Sequence, residues 1–165
     1  MKFKGLFKVR HFGKDGKLKG KYRVPNAIVN IGKIEILDIM FGATAKSPTW
    51  YFGLIDNVGF SALAATDVML LHPGWDKFTD YSNANRPEWD EAVAALDGPD
   101  VKMKTTTEAT FNINQDGSAI KGLFITDSNT VGGTTGILWS TALFGSVKNL
   151  DNGDTLKVTY EITVG

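Results

Sequence analysis

The chain has no cysteine and only two histidines among its 165 residues. Disulfides and thiolate metal centres are therefore excluded, and stability must come from packing or assembly. His11 and His72 stand alone, with no second histidine at ligand spacing, so no metal site of the zinc type is expected. Asp151-Asn152-Gly153-Asp154 lacks the spaced carboxylates and closing glutamate of a calcium loop and reads as a tight turn. No apolar run approaches the roughly 18 residues of a membrane span. The basic start, Met1 to Gly5, is not followed by the apolar core of a signal peptide, so no membrane is expected as a partner. Heptads, internal repeats and low-complexity tracts are also missing.

The usual signs of catalysis are equally scarce. No serine sits in a Gly-x-Ser-x-Gly elbow. Gly132-Gly133-Thr134-Thr135-Gly136 lacks the Lys-Ser/Thr ending of a phosphate loop and reads as a flexible connection. Asp76, Asp80, Glu88, Asp90 and Glu91 cluster near Trp75, Tyr81 and Trp89. Carboxylates among aromatics occur in glycosidase clefts. Here they fall in one polar run, which favours a solvated acidic surface. The expectation is a protein that is not an enzyme, with no catalytic residue, no cofactor and no metal.

What is present is a concentration of positive charge at one end. Residues 1–24 hold nine Lys/Arg against one Asp, a net +8. The remaining residues hold nine Lys/Arg against seventeen acids, a net −8, so a neutral total hides a polar molecule. The basic stretch alternates. Lys2, Lys4, Lys8 and Arg10 are even, with Phe3, Phe7 and Val9 odd. After the Lys14-Asp15-Gly16 turn, Lys17, Lys19, Lys21 and Arg23 are odd, with Leu18, Tyr22 and Val24 even. Side chains alternate faces along a strand. A hairpin over 1–24 would thus gather eight cations on one face and apolar residues on the other. Such a face suits an acidic protein surface, nucleic acid, or plain solvent, with lysines guarding a sheet edge. Its aromatics, Phe3, Phe7, Phe12 and Tyr22, lie on or near the opposite parity. They read as core rather than as a base-stacking platform, so nucleic acid is the least favoured partner.

The rest of the chain reads as one mainly β domain over 1–165. Pro25 is read as the end of the second strand. Ile31, Ile34, Leu37, Met40 and Phe41 recur at helical spacing, with Lys33 and Asp38 off that stripe and Gly42 as the stop. One short amphipathic helix packed by that stripe is expected, with a strand as the alternative. Thr49 to Ile55 is a nearly continuous apolar run that suits a strand covered on both faces. Thr79 to Asp90 reads as a polar surface loop with aromatic pins. The C-terminal third alternates cleanly, as in Met103 to Ile113 and Leu156 to Ile162. Seven or eight strands with one helix and long loops predict an antiparallel β-sandwich or jelly-roll-like domain.

Four phrases also belong together. They are Trp50-Tyr51-Phe52-Gly53-Leu54-Ile55 with Gly59 to Met69; His72-Pro73-Gly74-Trp75 followed by Tyr81 and Arg86-Pro87-Glu88-Trp89; Lys121 to Ile125 with Gly136 to Phe144; and Asn152 to Tyr160. In this order they resemble a family of small tailed-bacteriophage structural proteins. Its members carry the labels tail-fibre protein, head fibre and capsid-decoration (cement) protein. The resemblance spans nearly the whole chain and rests on packing and turn signatures.

The resemblance implies a virion structural protein, made in the host cytoplasm and placed on the capsid exterior, that decorates and stabilises the shell by binding the major capsid protein. The alternative it implies is a tail or head fibre component that contacts the host surface. A compact β domain without a repetitive shaft suits the first. On that reading Lys2, Lys4, Lys8, Arg10, Lys17, Lys19, Lys21 and Arg23 contact the capsid, and loops 43–48, 76–91 and 127–136 face solvent or neighbouring copies. Trp75, Tyr81 and Trp89 are candidate contacts between copies of a homo-oligomer, with a trimer favoured over a dimer. The alternative for these three is that they pin their loop to the core.

Overall fold

A computed structural model describes residues 2–47 and 49–165; Met1 and Pro48 lie outside the described residues. In chain order the elements are β1 (Phe3–Phe12), β2 (Leu18–Ile28), α1 (Asn30–Phe41), β3 (Trp50–Asp56), β4 (Lys77–Phe78), β5 (Glu88–Glu91), β6 (Ala95–Asp97), β7 (Asp100–Thr107), β8 (Ala109–Asn112), β9 (Ser118–Thr126), β10 (Leu138–Leu150) and β11 (Thr155–Val164). Eight of the strands close on themselves, in the order β1–β2–β10–β9–β3–β5–β7–β11 and back to β1, every pair antiparallel. The fold is therefore an eight-stranded antiparallel β-barrel, which corrects the expected sandwich or jelly roll.

The reason for the difference is local. Alternation along a strand shows which residues face a core, and a barrel and a sandwich share that signal. Closure depends on β5, four residues inside the run expected to be a surface loop. It bridges β3, through Trp50↔Trp89 and Tyr51↔Glu88, and β7, through Asp90↔Thr107 and Glu91↔Thr105. Nor does Pro25 end β2. The strand runs on to Ile28, and its pairing with β10 begins one residue later, at Asn26↔Ala142.

The barrel interior is filled by inward residues of the wall, among them Phe7, Val9, Phe52, Leu54, Leu123, Ile125, Leu156, Val158 and Tyr160, all under 2 % exposed. A second apolar layer lies outside the β3–β9–β10 wall. There Trp75 and Met69 pack with Val29, Ile55, Phe124 and Leu138. Both faces of β3 are covered, as its continuous apolar run predicts. Gly53 makes this possible, because a Cβ there would lie about 2.1 Å from the ring of its cross-strand partner Phe124.

Helix α1 follows β2 directly and lies against β10. Its inward residues are Gly32, Glu35, Ile36 and Ile39; of the predicted stripe, Ile31 alone packs inward, against the second apolar layer. Ile34, Leu37 and Phe41 are instead 51, 58 and 79 % exposed. Apolar side chains ring the whole helix, so periodicity cannot choose a face. Backbone approach chooses it. A Cβ on Gly32 would meet the Trp139 carbonyl at 2.5 Å, so this side alone comes close to β10.

Candidate functional site

The basic hairpin forms, as β1 and β2, and β1 sits between β2 and β11 in the barrel wall. Lys8 lies opposite Arg23, and Arg10 opposite Lys21. Phe7 and Val9 turn into the core. Four of the eight cations are held by the chain's own acids. Lys8 meets Glu161 at 3.4 Å, Arg10 forks onto Glu108, and Lys17 meets Asp15 at 3.1 Å across the turn. Lys19 donates to both Asp154 oxygens, at 2.9 and 2.8 Å, and to Asp151 at 3.3 Å. Among the described residues, Lys2, Lys4, Lys21 and Arg23 have no carboxylate within ion-pair distance.

Two parts of the alternation fail beyond the turn, for one reason. The register shifts between His11 and Phe12, which pair with Gly20 and Leu18. Lys19 is the extra residue, and a bulge re-aims its side chain. It leaves the cationic face for the barrel rim, while Leu18 turns outward and is 45 % exposed. Phe12 also lies among the cations rather than in the core. The Arg10 guanidinium and the Lys157 ammonium sit 5.3 and 5.7 Å from its ring centre.

At that rim lies a buried ionic centre that sequence spacing does not reveal. His11 Nε2 is 2.7 Å from Asp154 Oδ2, and the Asp151 N–H also donates to that oxygen, at 3.2 Å. Burial pushes the Asp154 carboxyl up, but the hydrogen bonds from Lys19 and His11 outweigh it and hold the group below its ordinary value. Residues 11, 19 and 154 come together only through the β1–β11 register and the bulge in the β1–β2 pairing. The Asp151–Asp154 turn expected from sequence is present and carries the aspartate.

Trp75, Tyr81 and Trp89 are 2, 5 and 3 % exposed. They are buried in the chain's own cores, so the loop-pinning alternative describes them and the expected contact between copies does not. The loops over 76–91 and 127–136 are likewise tied together. The buried Arg86 guanidinium donates to the carbonyls of Ser128, at 2.8 Å, and Gly133, at 3.1 Å. His72 is a structural histidine, stacked on Trp75 at 3.9 Å and sharing a hydrogen bond with Lys77.

The opposite end of the barrel, under α1, holds a cavity of about 230 Å³. Its walls include Trp50, Trp89 and Trp139 from the barrel and Glu35, Ile36 and Ile39 from the helix. Burial raises the Glu35 carboxyl above its ordinary value, and the nearby Asp127 and Asp38 add to the effect. Below the tryptophans lies Tyr160. Its hydroxyl accepts from Asn26 Nδ2 at 2.7 Å and Trp139 Nε1 at 3.3 Å, and burial pushes its pKa up to about 12. Gly5 leaves the room for this pair, since a Cβ there would fall 2.1 Å from both Asn26 Oδ1 and the Tyr160 hydroxyl. Trp89 Nε1 and Asn26 Oδ1 are buried without a hydrogen-bond partner, and the Ser140 hydroxyl has that of Tyr160 as its polar neighbour.

Among the described residues, no cluster of three His, Asp or Glu side chains is placed to hold a metal ion, and no helix is long and apolar enough to cross a membrane. No family model matches the chain, and no curated protein or solved structure is significantly similar to it.

Proposed function

We propose that this chain is a virion structural protein that docks its cationic barrel wall on the major capsid protein of a tailed phage and cements the assembled shell. The phage resemblance in its packing phrases supports this reading. The observation that carries it is the placement of the unpaired cations. Lys21 and Arg23 lie directly opposite Arg10 and Lys8 on a rigid wall. Like charges facing each other across strands cost stability. An acidic partner offsets that cost, and Glu108 and Glu161 offset only part of it from within. Cementing needs no chemistry, because binding the assembled lattice and not its free subunits stabilises the lattice by mass action. A closed homo-oligomer, a trimer before a dimer, multiplies a weak single contact.

The test is co-sedimentation with purified, undecorated heads. Wild type pellets with the shells at low salt and releases as salt rises. A Lys4→Glu, Lys21→Glu, Arg23→Glu variant stays in the supernatant. Lys17→Glu, whose ammonium is already engaged by Asp15, still pellets. Wild type that ignores shells at low salt but binds host cells moves the chain to the fibre class. A triple variant that pellets like wild type removes the wall as the anchor.

A further inference from the structure

The cationic wall has an open seam. β2 pairs with β10 only through Asn26, Ala27 and Ile28. Lys2 and Gly165 exchange two backbone hydrogen bonds, at 2.8 and 3.3 Å, so the even residues of β1 bond to β11. Backbone groups alternate sides along a strand. The odd residues of β1, Phe7 and Val9 among them, therefore bond to β2, at Val24 and Tyr22. The backbone groups of Lys21, Arg23 and Pro25 point the other way, toward β10. Val29, on that same side, donates to the Trp139 carbonyl at 3.2 Å. Pro25 has no N–H to offer, and the ladder stops there. β10 then bulges, its register against β9 shifting between Leu143 and Lys148. Among the described residues, no strand pairs with Lys21 or Arg23 on this edge. Side chains hold the seam instead. Tyr22 meets Phe144 edge-on at 5.5 Å, and the Lys148 ammonium lies 4.3 Å from the Tyr22 ring centre.

We propose that the β2 edge over residues 21–25 binds an extended acidic segment of a partner protein as an added antiparallel strand. Unpaired backbone groups on a sheet edge are a template for another chain. Charge chooses the occupant. A second copy of β2 would set Lys21 and Arg23 against their own kind, which is how lysines keep edges from pairing with themselves. Among the described residues, Lys21, Arg23 and Lys148 have no carboxylate within ion-pair distance. An acidic strand thus makes backbone bonds and ion pairs together. Its residues bonded to Lys21 and Arg23 point outward beside them, which places the acids there. The residues between turn to the side of Tyr22 and Phe144 and suit apolar side chains. The inference rests on the docking reading above only for the partner's acidity, and the added strand goes beyond it.

The probe is an end-blocked octapeptide of alternating Glu and Val, added to the ¹⁵N-labelled wild-type chain. In the free protein the amides of Lys21 and Arg23 exchange with water fast, and those of Tyr22 and Val24 slowly. Bound peptide slows Lys21 and Arg23 by about ten-fold or more. N-methylation of the glutamates removes the N–H groups that reach β2 and weakens binding by about ten-fold or more, the worth of two backbone hydrogen bonds. N-methylation of the valines, whose N–H groups point away, leaves the affinity as it was. Any other pattern between the two methylated peptides overturns the proposal. So does protection of Lys21 and Arg23 in the free protein, or equal binding of a Lys-Val octapeptide. Sedimentation with shells keeps the two readings apart. Shells that hold wild type while both methylated peptides bind alike leave the capsid docking and remove the strand. Shells that ignore wild type while the glutamate pattern holds remove the capsid and leave the strand.

Discussion

The two ends of the barrel are closed by opposite means. At the rim that carries the β1–β2 turn, one buried aspartate gathers a lysine, a histidine and a backbone N–H. At the end under α1, Trp89 Nε1 and Asn26 Oδ1 are buried without partners, and Trp89 belongs to the wall of a cavity. Both ends belong to the same closed barrel, so topology does not explain the contrast. A fully satisfied polar centre rigidifies a fold, whereas a partly satisfied one weakens it and persists where something else has use for it. The first end reads as a lock that fixes the register of β1 against β11. The second end has no such lock.

The contrast breaks most visibly at Asp154. Asp154→Asn leaves Lys19 and a buried His11 facing an amide. Breaking a buried pair costs about 3–5 kcal/mol, and Lys19 is partly exposed, so a loss of about 3 kcal/mol in urea unfolding is expected. The pH sign follows from the depressed pKa. The contribution is full above the ordinary aspartate value of 3.8 and is lost as pH falls through the lower folded value. The gap between wild type and Asp154→Asn therefore narrows in acid. A gap that stays constant down to pH 2 would remove the ionic lock.

Ser140 should respond far less. Its hydroxyl faces the interior because β10 bulges at Trp139, which turns two successive residues inward. Its polar neighbour is the Tyr160 hydroxyl, which keeps its bonds to Asn26 and Trp139 when Ser140 is removed, so Ser140→Ala costs at most about 1 kcal/mol. A loss above about 1 kcal/mol would mean that the hydroxyl is bonded, and the two ends would then differ less than the geometry implies.

Much of the wall was legible in the sequence, and its closure was not. The alternation of Phe7 and Val9 against Lys8 and Arg10, and of Leu156 to Ile162, reports which side faces a core. The two-sided burial of Trp50 to Ile55 is written in its unbroken apolar run. Closure rests on Glu88–Glu91, a short strand whose charged residues look like loop, with Trp89 as the single hint. The His11–Lys19–Asp154 centre needs a register between strands more than 130 residues apart and a bulge, and neither leaves a local signal. The α1 face was misread because Ile34, Leu37 and Phe41 are as apolar as Ile36 and Ile39. The deciding residue, Gly32, carries no hydrophobic signal at all.

The smallest expected effect sharpens the comparison from the cavity side. Glu35 is buried, with Asp38 and Asp127 acting on it and no basic side chain in ion-pair range among the described residues. Its folded pKa lies above the ordinary 4.5. The fold thus favours the neutral acid, and wild type loses stability as pH rises from about 4.5 through that raised value. Glu35→Gln keeps the shape and removes the charge. Its midpoint of urea unfolding exceeds that of wild type at pH 7, and the difference closes by pH 4. Equal midpoints at pH 7 would mean that water reaches the carboxylate freely and that the cavity is wetter than its lining suggests. A gain at pH 7 has a further meaning. Neutralising one carboxylate would then improve the fold at the α1 end, whereas the neutralising change at Asp154 damages it at the other, because Lys19 and His11 pair with Asp154 and no cation pairs with Glu35.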